Sequence, residues 1–142
     1  MPAKHVNIVG AGQCGTLLSV ILARLGYAVD IYELRADPRV AGAEGGRSIN
    51  LALAERGITA LKHAGVFDRV EPLLVPMRGR MIHDLDGSTE LQPYGQAQGE
   101  QIYSVSRAEL NKILLDVAED ADEITLHFGQ QVLGYDPDTK KA

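Results

Sequence analysis

The stretch Gly10-Ala-Gly-Gln-Cys-Gly15 constrains the fold of this chain more than any other. It follows a short apolar run, His5-Val-Asn-Ile-Val9, and opens a helix-periodic run that reaches Leu25. A second apolar run, Ala28 to Tyr32, closes on an acid, Glu33. Strand, G-x-G-x-x-G turn, helix and acid-tipped strand is the order of a dinucleotide-binding βαβ unit. Gly10 permits the tight turn, Gly12 lets a pyrophosphate approach the backbone, and Gly15 lets the helix lie close to the sheet. The helix N-terminus offers free N–H groups and a positive dipole end. Glu33, about 20 residues past the turn, can accept hydrogen bonds from both hydroxyls of an adenosine ribose. An acid there repels a 2′-phosphate, so FAD or NAD is expected rather than NADP. A glycine turn without a ligand is the alternative, and the flanking order argues against it.

At 142 residues the chain is one domain or a piece of one. A net charge of −5 without a Lys/Arg cluster gives no nucleic-acid footprint. The one cysteine, Cys14, excludes an internal disulfide and fits a reducing, cytoplasmic setting. It reads as small filler of the glycine loop, with a reactive thiol at the helix start as the other option. The apolar run Leu17 to Leu25 is broken by Ser19 and Arg24, so no membrane segment is expected. The start lacks a signal-peptide pattern, and the turn-like ending Asp136 to Ala142 reads as that of a fragment.

Further along, periodicity predicts the remaining elements. The first helix should turn Cys14, Leu18, Ile21, Leu22 and Leu25 to one face. Residues 34 to 46 read as a mobile loop with a turn at Asp37-Pro38. Gly46 to Leu53 alternates, with Ile49, Leu51 and Leu53 opposite Ser48, Asn50 and Ala52. A small polar face of that kind suits a sheet against which a ligand lies; a plain amphipathic edge strand would look the same. Glu55 to Ala64 predicts a helix capped by Gly65, with Val66-Phe67 folding back on it. Segments 76–84 and 89–94 flank Leu85-Asp-Gly-Ser88, a β-hairpin signal. Arg78 and Arg80 would share one face of that hairpin, either as ligands or as an ordinary solvated pair. His83 stands alone and reads as structural, so no metal site is expected.

Ser106-Arg-Ala-Glu109 is a capping box opening a helix with Leu110, Ile113, Leu114, Val117 and Ala118 inward. Arg107 then sits at the first helical position, where a cation opposes the dipole. An anionic neighbour such as a phosphate would account for it; a surface arginine without a role is the alternative. Glu123 to Phe128 and Gln131 to Tyr135 read as two closing strands.

Four blocks carry a resemblance: Gly46-Arg-Ser-Ile-Asn-Leu-Ala-Leu53, Pro76-Met-Arg-Gly-Arg-Met-Ile-His83, Pro93-Tyr-Gly95, and Tyr103-Ser-Val-Ser-Arg107 with Glu109-Leu-Asn-Lys112. With the glycine turn and Tyr32-Glu-Leu-Arg35 they resemble the kynurenine 3-monooxygenase family of single-component, FAD-dependent aromatic hydroxylases. The resemblance implies an α/β, Rossmann-like FAD-binding fold with a parallel sheet and an inserted β-hairpin at about 76–95. It implies that residues 1–142 are the N-terminal part of the FAD-binding domain, with the C-terminal half of the enzyme absent. FAD is the implied cofactor, and NADPH, O2 and L-kynurenine are the implied co-substrates and substrate. The product would be 3-hydroxy-L-kynurenine, in the kynurenine pathway of tryptophan degradation. Residue by residue, it implies that Gly10, Gly12, Cys14 and Gly15 hold the FAD pyrophosphate, and that Tyr32, Glu33, Leu34 and Arg35 form the adenosine-ribose segment. Ala52, Arg107 and Val132 match further cofactor-adjacent positions. Arg80 and Tyr94 match the pair that holds the kynurenine carboxylate; an arginine fork and a phenol hydroxyl suit that group.

The flavin would carry the chemistry, and no side chain in the chain reads as a catalytic acid or base. Two departures stand out. Ala54-Glu55 replace the family's usual Ser-His, which deprives the following helix of its N-cap, and Gln96 to Gln101 is slightly longer than usual. Hydroxylation of another aromatic acid, or nucleotide binding without catalysis, remain as the rival readings.

Overall fold

The computed structural model describes residues 4–40, 49–95, 100–136 and 138. In chain order the elements are β1 (His5–Val9), α1 (Gln13–Arg24), β2 (Ala28–Glu33), β3 (Asn50–Leu53), α2 (Glu55–His63) and α3 (Phe67–Val70). After a 3-10 turn at Glu71–Leu73 come β4 (Val75–Met77), β5 (Gly79–His83), β6 (Thr89–Pro93), β7 (Ile102–Ser106), α4 (Arg107–Glu119) and β8 (Ile124–Phe128). The chain divides into two units: Met1–Arg47 with Leu110–Ala142, and Ser48–Glu109.

The first unit is built on a parallel sheet in the order β1-β2-β8. Parallel strands need a crossover between them, and α1 supplies the one from β1 to β2. The sheet register places Ile8, Ile31 and Leu126 on one face, with Val29 and Ile124 beside them. Val29 and Ile31 are almost wholly buried, each worth about 1.5–3 kcal/mol of burial. On the opposite face a carboxylate ties the three strands together. Asp30 meets His5 Nε2 and His127 Nε2, both at 2.6 Å. A carboxylate only accepts, so each Nε2 carries the proton. The His127 hydrogen bond, outweighing burial and joined by His5, holds the Asp30 carboxyl below its ordinary range. Tyr32 stacks on the His127 ring at 4.7 Å.

Four expectations for this unit change. The face that α1 buries is Thr16, Ser19, Val20 and Ala23, while Leu18 and Leu25 are exposed. Cys14, expected as loop filler, stands in the first turn of α1 and is exposed. The reason is volume. Gly15 brings the helix so close that a Cβ there would lie 2.1 Å from Gly10 O, so small side chains face the sheet. The segment after β2 is pinned rather than loose. Arg39 bonds to Asp37, Asp116 and Glu119 and lies over the Phe128 ring. Those carboxylates, Asp37 first, raise the Arg39 pKa above its ordinary value. Residues 41–46 of the expected loop lie outside the described residues. Finally, residues 131–135 form no strand. Leu133 and Tyr135 are exposed, and alternation without a partner strand makes no ladder.

In the second unit β7 is central, antiparallel to both β3 and β4. The alternation around Leu51 and Leu53 holds: both are half-buried, while Asn50 and Ala52 are exposed. Residues 46–48 of that expected strand lie outside the described residues. Helix α2 buries Ile58 and Leu61 and ends at His63 with Ala64 as C-cap, followed by Gly65 at φ +70°. Instead of simply folding back, Phe67–Val70 adds a further turn, α3, whose Val70 is fully buried.

Ala54 caps α2 with no side-chain hydrogen bond. An Ala54→Ser variant is expected to gain about 1 kcal/mol, read as a rise in the urea midpoint; an unchanged midpoint would mean that the first-turn donors are satisfied otherwise.

The strand expected over 76–84 is split at Arg78. β4 joins β7, whereas β5 pairs with β6 as an antiparallel hairpin. The hairpin turn follows the Asp-Gly signal, with Gly87 at φ +86° and Asp84 N–H donating to Ser88 O at 3.0 Å. Gly79 marks the change of partner: a Cβ there would lie 2.5 Å from Gln92 O.

Helix α4 carries the expected cap, Glu109 N–H donating to Ser106 Oγ at 3.4 Å. It buries Leu110, Leu114, Leu115 and Ala118. Leu115 is an inward residue beyond those expected, while Ile113 and Val117 are only half-buried.

Candidate functional site

The glycine turn is the best-organised site in the first unit. Gly10 leaves β1 at φ +101°, a value that L side chains rarely adopt. Its N–H donates to Tyr32 O at 2.7 Å, which fastens the turn to the end of β2. Gly12 is the N-cap of α1 and makes no side-chain capping bond, and the first turn holds no acid. A Cβ on Gly10 or Gly12 would meet nothing within 4 Å. The turn thus offers an open backbone surface beneath a helix N-terminus, as a bound pyrophosphate requires. These features fit the adenosine-diphosphate end of a dinucleotide.

Ala11, between the glycines, is held at both polar atoms by side chains from distant segments. Its N–H donates to Glu33 Oε2 at 3.0 Å, and its carbonyl accepts from Asn111 Nδ2 at 3.3 Å. Glu33 Oε1 takes two more bonds, from Arg35 N–H and Nε, both at 3.0 Å. Burial alone would raise the Glu33 carboxyl. The N–H groups of Arg35 and Ala11 and the Arg35 guanidinium outweigh it and hold the carboxyl below its ordinary value. A carboxylate has about four acceptor positions, and three are used here. Glu33 therefore splints the turn as well as presenting an acid at the tip of β2. Leu34 and Arg35 beside it are exposed.

The remaining sequence-derived candidates are distributed as follows. Cys14 lies in the first turn of α1, in the first unit. Val132 is half-buried beyond β8, in the same unit. Ala52 is exposed on β3, opposite Ser104 of β7, in the second unit. Arg107 opens α4, is exposed, and its N–H donates to Ile49 O at 3.1 Å. Arg80 lies on β5 of the hairpin and Tyr94 directly follows β6. Arg80 faces Gln92, and Tyr94 N–H donates to Arg78 O at 3.0 Å. That bond continues the register by one step, so Tyr94 is the diagonal neighbour of Arg80 on the same face. Arg80 is exposed and Tyr94 is 45% exposed, so both are accessible.

Three participants escaped the sequence reading: Ala11, Asn111 and Gln92. Asn111 gave a faint signal, since a short amide next to Leu110 and four before Leu115 sits on the inward side of a helix.

Among the described residues, no group of three His, Cys, Asp or Glu side chains is placed to hold a metal ion. No helix among them is long and apolar enough to cross a membrane.

A parallel sheet with a glycine turn, an uncapped helix N-terminus and an acid at the next strand tip defines a dinucleotide-binding α/β protein. The chain belongs to the FAD binding domain family, whose family model matches residues 3–142. FAD is accordingly the cofactor of this fold. The chain is 48% identical over 140 residues to kynurenine 3-monooxygenase of Stenotrophomonas maltophilia (strain K279a), covering 99% of this chain and 30% of that protein. It is 46% identical over 138 residues to kynurenine 3-monooxygenase of Legionella pneumophila (strain Corby), covering 97% of this chain and 31% of that protein. The chain thus spans under a third of the length of these curated relatives. Among solved structures it resembles 2-methyl-3-hydroxypyridine-5-carboxylic acid oxygenase in its tetrameric form, with a TM-score of 0.79 at 15% identity over 96% of this chain and 34% of that one. It also resembles p-nitrophenol 4-monooxygenase PnpA of Pseudomonas putida DLL-E4, with a TM-score of 0.76 at 14% identity over 94% and 34%. At such identities the likeness is one of fold.

Proposed function

We propose that this chain is the FAD-binding portion of a flavoprotein monooxygenase that hydroxylates L-kynurenine to 3-hydroxy-L-kynurenine with NADPH and O2, in the cytoplasm. The observation that carries the reading is the 48% identity to a kynurenine 3-monooxygenase along 99% of the chain. In this reading the N–H groups of the Gly10–Gly15 turn and the start of α1, Cys14 included, bind the pyrophosphate. Glu33, with Tyr32, Leu34 and Arg35 around it, orients the adenosine ribose. Ala52, Arg107 and Val132 lie along the cofactor. FAD, once bound, supplies the redox chemistry that oxygenates an aromatic ring. The residues of this chain bind and orient; none of them moves a proton in the reaction. The Arg80 guanidinium takes the substrate carboxylate, and the Tyr94 hydroxyl donates a further hydrogen bond to it. Their shared face on the hairpin supports that pairing.

The test uses the protein at the full length of its relatives, loaded with FAD. Arg80→Ala is expected to raise the Kd for L-kynurenine roughly 30-fold, as losing a charge-assisted hydrogen bond worth about 2 kcal/mol implies. Tyr94→Phe is expected to raise it about fivefold. Kynurenine-dependent NADPH oxidation by the unaltered protein is the accompanying expectation. If both variants bind kynurenine as the unaltered protein does, the assignment of Arg80 and Tyr94 as its ligands fails; an unaltered protein that neither binds kynurenine nor oxidises NADPH in its presence overturns the substrate.

A further inference from the structure

In the β5–β6 hairpin, Gln92 Oε1 accepts a hydrogen bond from Arg80 Nε at 2.6 Å, between residues that face each other in the ladder. The choice of nitrogen matters. A guanidinium can grip a carboxylate side-on, through Nε–H and one Nη–H, or end-on, through its two terminal nitrogens. The Gln92 amide oxygen occupies Nε–H and leaves only the end-on pair for an incoming anion. Being neutral, the amide leaves the guanidinium its full charge. It also fixes a long side chain that would otherwise sample many rotamers on an exposed strand.

We infer that Gln92 is a positioning residue for the substrate carboxylate: it holds Arg80 in one orientation and restricts it to end-on binding. This rests on the reading of Arg80 as the carboxylate ligand. Gln92 faces Arg80 across the ladder, and Tyr94 follows it two residues along the chain, just past the end of β6.

The experiment compares Gln92→Leu, Gln92→Glu and Arg80→Ala in the full-length, FAD-loaded protein. Binding of L-kynurenine and of its decarboxylated amine is measured by calorimetry, and steady-state kinetics are recorded alongside. Gln92→Leu is expected to raise Kd and KM for kynurenine five- to tenfold, with kcat changed less than twofold and the affinity for the decarboxylated amine unchanged. Gln92→Glu keeps an acceptor for Nε but adds a negative charge beside the carboxylate, and should raise Kd at least as much. A Gln92→Leu protein that binds kynurenine normally while Arg80→Ala does not would overturn the role of Gln92 and leave that of Arg80 standing. Equal losses for kynurenine and the amine would also overturn it, because the effect would then not act through the carboxylate. If Arg80→Ala too binds normally, the underlying reading of Arg80 as the carboxylate ligand fails as well.

Discussion

Replacing Gly15 by alanine is expected to cost about 3 kcal/mol and to lower the midpoint of thermal unfolding by roughly 10 °C. The added Cβ would stand 2.1 Å from Gly10 O and 3.2 Å from Ile8 Cγ2. The first neighbour is backbone and cannot swing aside. Either α1 lifts from the sheet or the turn at Gly10 opens, and each route loosens the same structure. Lifting α1 would strip contacts from Thr16, Ser19, Val20 and Ala23, all of them buried. Opening the turn would break the 2.7 Å bond from Gly10 to Tyr32 O. FAD affinity should fall with stability, since the turn and the start of α1 form the binding surface. Calorimetric unfolding of the variant beside the unaltered chain decides the matter. A midpoint within 2 °C, a shift of about half a kcal/mol, would show that the helix stands further from the sheet than the structure has it.

The second large effect is expected at Glu33. Glu33→Ala removes three hydrogen bonds at once and leaves the N–H of buried Ala11 without its acceptor. A buried donor left unpaired costs about 1–3 kcal/mol, and the charge-assisted bond to Arg35 adds to that, so a total near 3 kcal/mol is expected. The side chain is 10% exposed, so solvent screens little of it. The pH dependence follows from the direction of its shift. The folded carboxyl titrates below its ordinary 4.5. Its contribution is therefore complete above about pH 4.5 and is lost as pH falls through the lower, folded value. Glu33→Gln lacks the titration, so the stability gap between it and the unaltered chain should narrow steadily from pH 5 to pH 3. Urea unfolding across that range measures the gap, and a gap that stayed constant would show that the carboxylate charge does not fasten the turn. Comparison with the glutamine variant isolates Glu33 from Asp30 and Asp37, which are also held low.

What could be read from the sequence was local. The Asp-Gly hairpin and the Ser106 cap each lie within a few residues of their partners, and steric or capping rules act at that range; the glycine turn and the acid at the end of β2 were legible as residue types at a known spacing. The inward face of α1 could not be read, because periodicity reports hydrophobicity and not size. The leucine stripe through Leu18 and Leu25 was the more apolar face, but the close approach at Gly15 admits only residues such as Thr16, Ser19 and Ala23. The strand expected over 131–135 failed for a related reason: alternation states a preference, and a strand needs a neighbour. Contacts set by register or by long separation were out of reach. Arg80 meets Gln92 because the hairpin pairs them, and Asn111 meets Ala11 across 100 positions of chain. For the site, the glycines and Glu33 were visible as types. That Glu33 spends most of its acceptor capacity within the protein was not.

The double tether on Ala11 has a thermodynamic consequence. With its N–H given to Glu33 and its carbonyl to Asn111, the turn is ordered during folding and not when a nucleotide arrives. Little loop entropy is then left to lose on association. Capture should proceed at the rate of an orientation-limited encounter with a preformed surface, and the strength of FAD retention would lie chiefly in slow release.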